Sequence, residues 1–156
     1  MPEQDPLAMD PESMRRLGYR VVDLLVERAR EMGSSPVLRT GTPEEMAALL
    51  DEPVPEAPQS EDTVLDDLFT KVLPFIGRFD HPRFFAYIPG AGTWPAALAD
   101  LVASATNIDT GEWREASGPS QVELTVLRWF AEWIGYPPDA GGVLVSGGSA
   151  ANMRQP

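Results

Sequence analysis

Gly142-Val143-Leu144-Val145-Ser146-Gly147-Gly148-Ser149-Ala150-Ala151-Asn152 is the stretch whose reading decides the fold. The apolar run 143–145 reads as a short buried strand. It enters a Ser-Gly-Gly-Ser turn, and Ala150, Ala151 and Asn152 then permit a helix. A strand, a glycine turn and a helix start bring free backbone N–H groups to one point, where the helix dipole favours an anion. Gly147 and Gly148 let the backbone approach a phosphate, and Ser149 adds a hydroxyl donor. The same residues also fit an ordinary strand-to-helix turn with a serine N-cap. No Gly-Lys-Ser/Thr follows, which excludes a Walker loop, and the third glycine of the dinucleotide fingerprint is missing.

Around that turn, 156 residues are long enough for one domain with a core, and 43% hydrophobic residues is a globular rather than a disordered content. Asp and Glu number 24 against 12 Lys and Arg, a formal net charge of −12. That charge repels nucleic-acid backbones and anionic lipid, so neither nucleic acid nor a membrane is expected as a partner. Cysteine is absent, which excludes disulfides, thiolate catalysis and Cys-ligated metal. The acidic start Met1-Pro2-Glu3-Gln4-Asp5 is not followed by an apolar block and reads as neither a signal nor a transit peptide. With no apolar stretch long enough to span a bilayer, a cytoplasmic protein is expected. His81 is the only histidine and Lys71 the only lysine, which leaves little choice of imidazole base or amine nucleophile.

Helix signals occupy most of the rest. Asp10-Pro11 predicts an N-cap and a first helical residue, with Met14, Leu17, Val21, Leu24 and Leu25 at helical spacing through about Arg30. Thr42-Pro43-Glu44-Glu45 predicts a second helix with Met46, Leu49 and Leu50 as its apolar face. Pro53, Pro55 and Pro58, interleaved with acids, predict an extended linker. Ser60 is expected to cap a third helix carrying Leu65, Leu68, Phe69, Val72, Leu73 and Ile76 in a wide stripe. A structured loop is expected over 77–94, then a helix over 94–105 that buries Leu98, Leu101 and Val102, then an irregular loop over 107–118. Ser120-Gln121-Val122-Glu123 reads as a capping box. It opens a helix that places Val122, Val126, Leu127, Phe130, Trp133 and Ile134 on one side, and Gly135-Tyr136-Pro137-Pro138 stops it.

Two loops carry further candidates. His81-Pro82-Arg83-Phe84-Phe85-Ala86-Tyr87-Ile88-Pro89-Gly90 is rigid and aromatic, and either walls a flat ligand or plugs the core with Phe84 and Phe85. His81 is expected to make a structural hydrogen bond rather than act as a base or ligand. Arg114 could meet a carboxylate, though a solvated arginine is the commoner outcome. Asp109, Glu112 and Glu115 lack a histidine or a tight spacing rule, so exposed charge is expected there and no metal site.

Taken in order, "HPRFFAYIPG" (81–90), a Trp94-Pro95-Ala96 helix start, "EWREASGPSQVELTVLRWFAEWIGY" (112–136) and "GVLVSGGSAAN" (142–152) resemble the N-terminal part of the pyridoxal-phosphate-dependent group II decarboxylases, the aromatic-L-amino-acid decarboxylase family. The resemblance spans residues 10–153. It implies an α/β parent of fold type I, of which this chain forms a mostly helical part with a short terminal strand. Residues 1–80 would be an N-terminal helical dimerisation segment and 81–156 the start of the large cofactor-binding domain. The implied activity is that of a carboxy-lyase removing the α-carboxylate of an L-amino acid through an aldimine of pyridoxal 5'-phosphate, in a homodimer joined through the N-terminal helices.

By the same resemblance, Gly147, Gly148 and Ser149 would hold the cofactor phosphate, and Tyr87, Ile88 and Pro89 would line the substrate side-chain pocket. The loop 107–113 would reach into the partner's site. No catalytic residue is assigned. The family's stacking histidine, its aspartate facing the pyridine nitrogen and its Schiff-base lysine have no counterpart among these residues, and Lys71 cannot replace the lysine. The 156 residues alone are therefore expected to be inactive. Two departures stand out: Ala150 where the family usually carries an acid, and Gly111-Glu112 where aromatic-specific members carry a bulky apolar residue. The closing Met153-Arg154-Gln155-Pro156 also departs, as expected of a truncation, a frameshift or an excised fragment. The rival reading is a non-catalytic helical module docking on a full-length homologue. In either case a lone strand and uncovered helix faces predict a partly molten or aggregating chain.

Overall fold

The computed structural model describes residues 8–153, so the acidic start at Met1 and the closing Arg154-Gln155-Pro156 lie outside the described residues. The described residues form two compact units that divide between Gly92 and Thr93.

The first unit opens with α1, Pro11–Arg30. Asp10 caps it as its position predicts, accepting the Glu12 N–H at 2.9 Å and the Ser13 N–H at 3.0 Å. Those bonds, with one from the Ser13 hydroxyl first in weight, lower the Asp10 carboxyl below its ordinary 3.8. A lowered folded-state value means the cap acts above pH 3.8 and is lost as pH falls through that lowered value. Asp10→Ala is therefore expected to reduce the far-UV helical signal at neutral pH and to leave it unchanged in strong acid. An equal loss at both ends of the titration would refute the cap.

Helix α2, Pro43–Leu50, begins with a full capping box between Thr42 and Glu45. Helix α3, Glu61–Asp67, is capped by Ser60, then widens into a π-turn over Leu68–Val72 and tightens into a 3-10 turn over Leu73–Phe75. Pro74 explains the change. It has no N–H, and its ring would strike the carbonyl four residues back, so the Leu73 N–H reaches the Leu68 carbonyl instead. The predicted wide stripe is consequently narrow. Leu65, Phe69 and Leu73 are half-buried, while Leu68, Val72 and Ile76 are exposed. Arg16 and Arg20 of α1 bind Asp62 and Asp66 of α3, including a 2.8 Å pair between Arg16 and Asp62, and so join the two helices.

The second unit contains α4, Trp94–Thr106, α5, Trp113–Ile134, and the short α6, Gly148–Asn152. Three expectations fail here. Residues 143–145 form no strand among the described residues. A strand exists only through a neighbour's ladder, and here the Leu144 N–H donates to the Glu123 carboxylate at 3.1 Å. Ser120 does not start a helix. Helix α5 begins at Trp113, inside the predicted loop, and breaks at Ala116 (φ −138°, ψ 41°). Pro119 then falls in the first turn beyond the break, where a missing N–H costs nothing.

Thirdly, the face of α4 expected to be buried is open. Leu98, Leu101 and Val102 of α4 are exposed, as are Val122, Phe130, Trp133 and Ile134 of α5. Only Val126 and Leu127 of that α5 set are half-buried. Gly135 does end α5, in the left-handed conformation (φ 76°).

Candidate functional site

Helix α6 starts at the glycine pair. Gly147 stands at the N-cap with extended backbone (φ 160°, ψ 170°), and among the described residues no side chain caps the helix. Its first hydrogen bond, Ala151 N–H to the Gly147 carbonyl, is 3.0 Å long. Helix geometry therefore leaves the N–H groups of Gly148, Ser149 and Ala150 without intrahelical acceptors. Ser149 lies inside the first turn rather than at the cap, so the serine-cap alternative is not what forms. A Cβ at Gly147 or Gly148 would meet nothing within 4 Å among the described residues. Neither packing nor a left-handed φ requires glycine at 147, and packing does not require it at 148. What glycine leaves there is open space over exposed donors, which fits a phosphate.

The aromatic loop belongs to the first unit. His81 is 3% exposed, and its Nδ1 accepts the Arg83 N–H at 3.0 Å, the structural bond expected of it. Phe84 packs edge-on against Phe79 with ring centres 5.1 Å apart, whereas Phe85 is 91% exposed, so only one of the two rings turns inward. Tyr87 (φ 64°) and Ile88 (φ 54°) are both left-handed, although their side chains are exposed. For a β-branched residue such as Ile88 that conformation is strained. Pro89 is half-buried.

Sequence reasoning missed Arg78, which is 5% exposed. Its guanidinium grips Asp80 with two bonds, Nε–Oδ1 at 3.0 Å and Nη2–Oδ2 at 2.9 Å. It also donates to the Ser35 hydroxyl at 3.2 Å and to the Arg28 carbonyl at 3.1 Å. The Arg78 bonds hold the Asp80 carboxyl below the usual range, and burial pushes the Arg28 guanidinium down. The only sequence signal was an Arg and an Asp two apart, which is common on any surface. A cavity of about 330 Å³ adjoins this cluster, lined in part by Leu24, Arg28, Phe69, Ile76 and Arg78. In the second unit a cavity of about 280 Å³ is lined in part by Leu127, Tyr136 and Gly142. Neither contains the predicted site residues.

Lys71 pairs with Asp67 at 2.8 Å within its own helical stretch. Arg114 is exposed, and Asp109 accepts the Gly111 N–H at 2.8 Å in a local turn. Among the described residues no three His, Asp or Glu side chains converge on a common point.

Residues 43–155 match the pyridoxal-dependent decarboxylase conserved domain. The chain belongs to that family, whose cofactor is pyridoxal phosphate. It is 35% identical over 147 residues to the aromatic-L-amino-acid decarboxylase of Bacillus atrophaeus, covering 94% of this chain and 31% of that protein. Tyrosine decarboxylase 4 of Petroselinum crispum is 30% identical, over 94% of this chain and 28% of its own. Among solved structures, Oryza sativa TDC with PLP and tryptamine superposes with a TM-score of 0.75 at 26% identity, over 86% of this chain and 28% of that one. Catharanthus roseus tryptophan decarboxylase in complex with L-tryptophan shares the fold with the same TM-score at 22% identity, over 85% and 28%. The chain thus has the fold of these fold type I enzymes over the part it spans, under a third of their length. No helix among the described residues is long and apolar enough to cross a membrane.

Proposed function

We propose that these residues form the N-terminal part of a pyridoxal-phosphate-dependent decarboxylase of L-amino acids, acting in the cytoplasm as a homodimer joined through α1 to α3. The bare start of α6 carries this reading. In it, residues 1–80 are the dimerisation segment and 81–156 open the cofactor domain. The backbone N–H groups of Gly148 and Ser149 and the Ser149 hydroxyl hold the phosphate, with Gly147 leaving room for it. Tyr87, Ile88 and Pro89 line the substrate side-chain pocket. The bound cofactor supplies an electron sink for cleavage at the α-carboxylate. This chain's residues do not perform that cleavage. Gly148 and Ser149 fix the anionic end of the cofactor, and the loop at Tyr87, Ile88 and Pro89 bounds the substrate side chain.

The 156 residues alone are expected to release no carbon dioxide from any L-amino acid supplied with pyridoxal phosphate. Their single lysine is tied to Asp67 on a helix, and it is the only side-chain amine available to bind the cofactor. Isotope-labelled carboxylate release by the purified chain, above that of cofactor in buffer, would overturn this. The fuller test is a chimera in which residues 1–156 replace the aligned segment of the Bacillus atrophaeus relative. The chimera is expected to bind pyridoxal phosphate and to release carbon dioxide. Failure to bind the cofactor, in a chimera that folds, would sink the reading.

A further inference from the structure

The geometry points to His81 as the positioning residue of the loop that carries Tyr87, Ile88 and Pro89. This rests on the proposal that those three residues bound the substrate pocket.

Tyr87 and Ile88 are successive left-handed residues that are not glycine. Such backbone persists only where its surroundings impose it. The Ile88 side chain supplies no such hold, being 101% exposed, and the Tyr87 ring, 83% exposed, meets only the Phe84 ring among the described aromatic residues. The constraint must come from the ends of the loop, and the N-terminal end is where the bonds are. The His81 N–H donates to the Arg78 carbonyl at 2.9 Å, and the Phe84 N–H donates to the His81 carbonyl at 2.9 Å. The imidazole adds a third bond, with Nδ1 accepting the Arg83 N–H. That bond places the proton of the neutral ring on Nε2. Nε2 is buried without a partner among the described residues, so the ring holds the loop through Nδ1 alone. From this turn the Phe84 ring reaches the Tyr87 ring at 6.4 Å. The path from His81 to the strained pair is short and continuous.

An acceptor that bonds the N–H two residues on is also what an asparagine side chain provides. His81→Asn therefore keeps the bond to Arg83, and His81→Leu removes it while still filling the buried site. Both variants are made in the chimera with its cofactor bound. Two readouts are taken, tryptic cleavage after the exposed Arg83 and the separate values of KM and kcat.

His81→Leu is expected to raise both cleavage and KM about tenfold with kcat little changed, the size of one lost hydrogen bond. His81→Asn is expected to restore both. No change in His81→Leu, or no rescue by His81→Asn, overturns the proposal. Ile88→Ala separates the two levels of inference. If it raises KM while His81→Leu loosens the loop without raising KM, the pocket reading stands and the positioning role falls. If Ile88→Ala leaves KM unchanged, the pocket reading falls and the positioning role falls with it.

Discussion

Heated alone, residues 1–156 are expected to lose structure gradually, with no cooperative heat-absorption peak and with strong binding of an apolar dye at neutral pH. Among the described residues Ala116, at 6% exposure, is the one buried apolar side chain, and the other two buried residues are Arg78 and His81. Burying a single Leu or Phe contributes roughly 1.5–3 kcal/mol, and a stable domain needs many such terms to offset chain entropy. Here Trp133, Ile134, Val122 and Leu101 are all 60% exposed or more. Helices α1, α2 and α3 are specified by their caps, so far-UV signal should persist where tertiary packing does not. Calorimetry checks this. A two-state protein of this size would absorb about 100 kcal/mol at its midpoint. A sharp, concentration-independent peak of that size would show that the exposed faces are covered in some other way.

What could be read beforehand divides along physical lines. Asp10, Thr42 and Ser60 were legible as caps because a cap is a bond across three residues and needs no tertiary partner. Gly135 was legible because a left-handed stop is equally local. Ser120 misled because Ser-x-x-Glu has the letters of a capping box at a place where the backbone had already turned helical after Ala116. The run 143–145 misled because apolar residues announce burial but cannot supply a neighbouring strand. Helices α4 and α5 were recognised, yet periodicity fixes which face is apolar and not whether anything covers it. The glycine turn was legible as residue types, and its uncapped first turn needed coordinates. Arg78 was not legible at all, since its burial depends on Ser35 and the Arg28 carbonyl, more than forty residues away.

In the chimera, Gly148→Val is expected to weaken pyridoxal phosphate binding about a hundredfold, and Ser149→Ala about tenfold. The two losses have different causes. The Ser149 hydroxyl gives one hydrogen bond to a dianion, and a bond to a charged group is worth about 1.5–3 kcal/mol. Its removal leaves the backbone donors of Gly148 and Ser149 in place. Valine at 148 keeps every donor and adds bulk beside them. The space there is empty of described atoms within 4 Å of a Cβ, so the new side chain meets no protein and the fold has little reason to object. Methyl groups beside those donors are expected to crowd the phosphate, and displacing it forfeits several charge-assisted bonds together. Valine has a higher helix propensity than the glycine it replaces, so the loss would not come from unfolding α6. Equilibrium titration with the cofactor, alongside far-UV spectra of each variant, separates the two origins. If Gly148→Val binds as tightly as the parent, the phosphate is not held at α6, and the resemblance that placed it there fails at its most specific point.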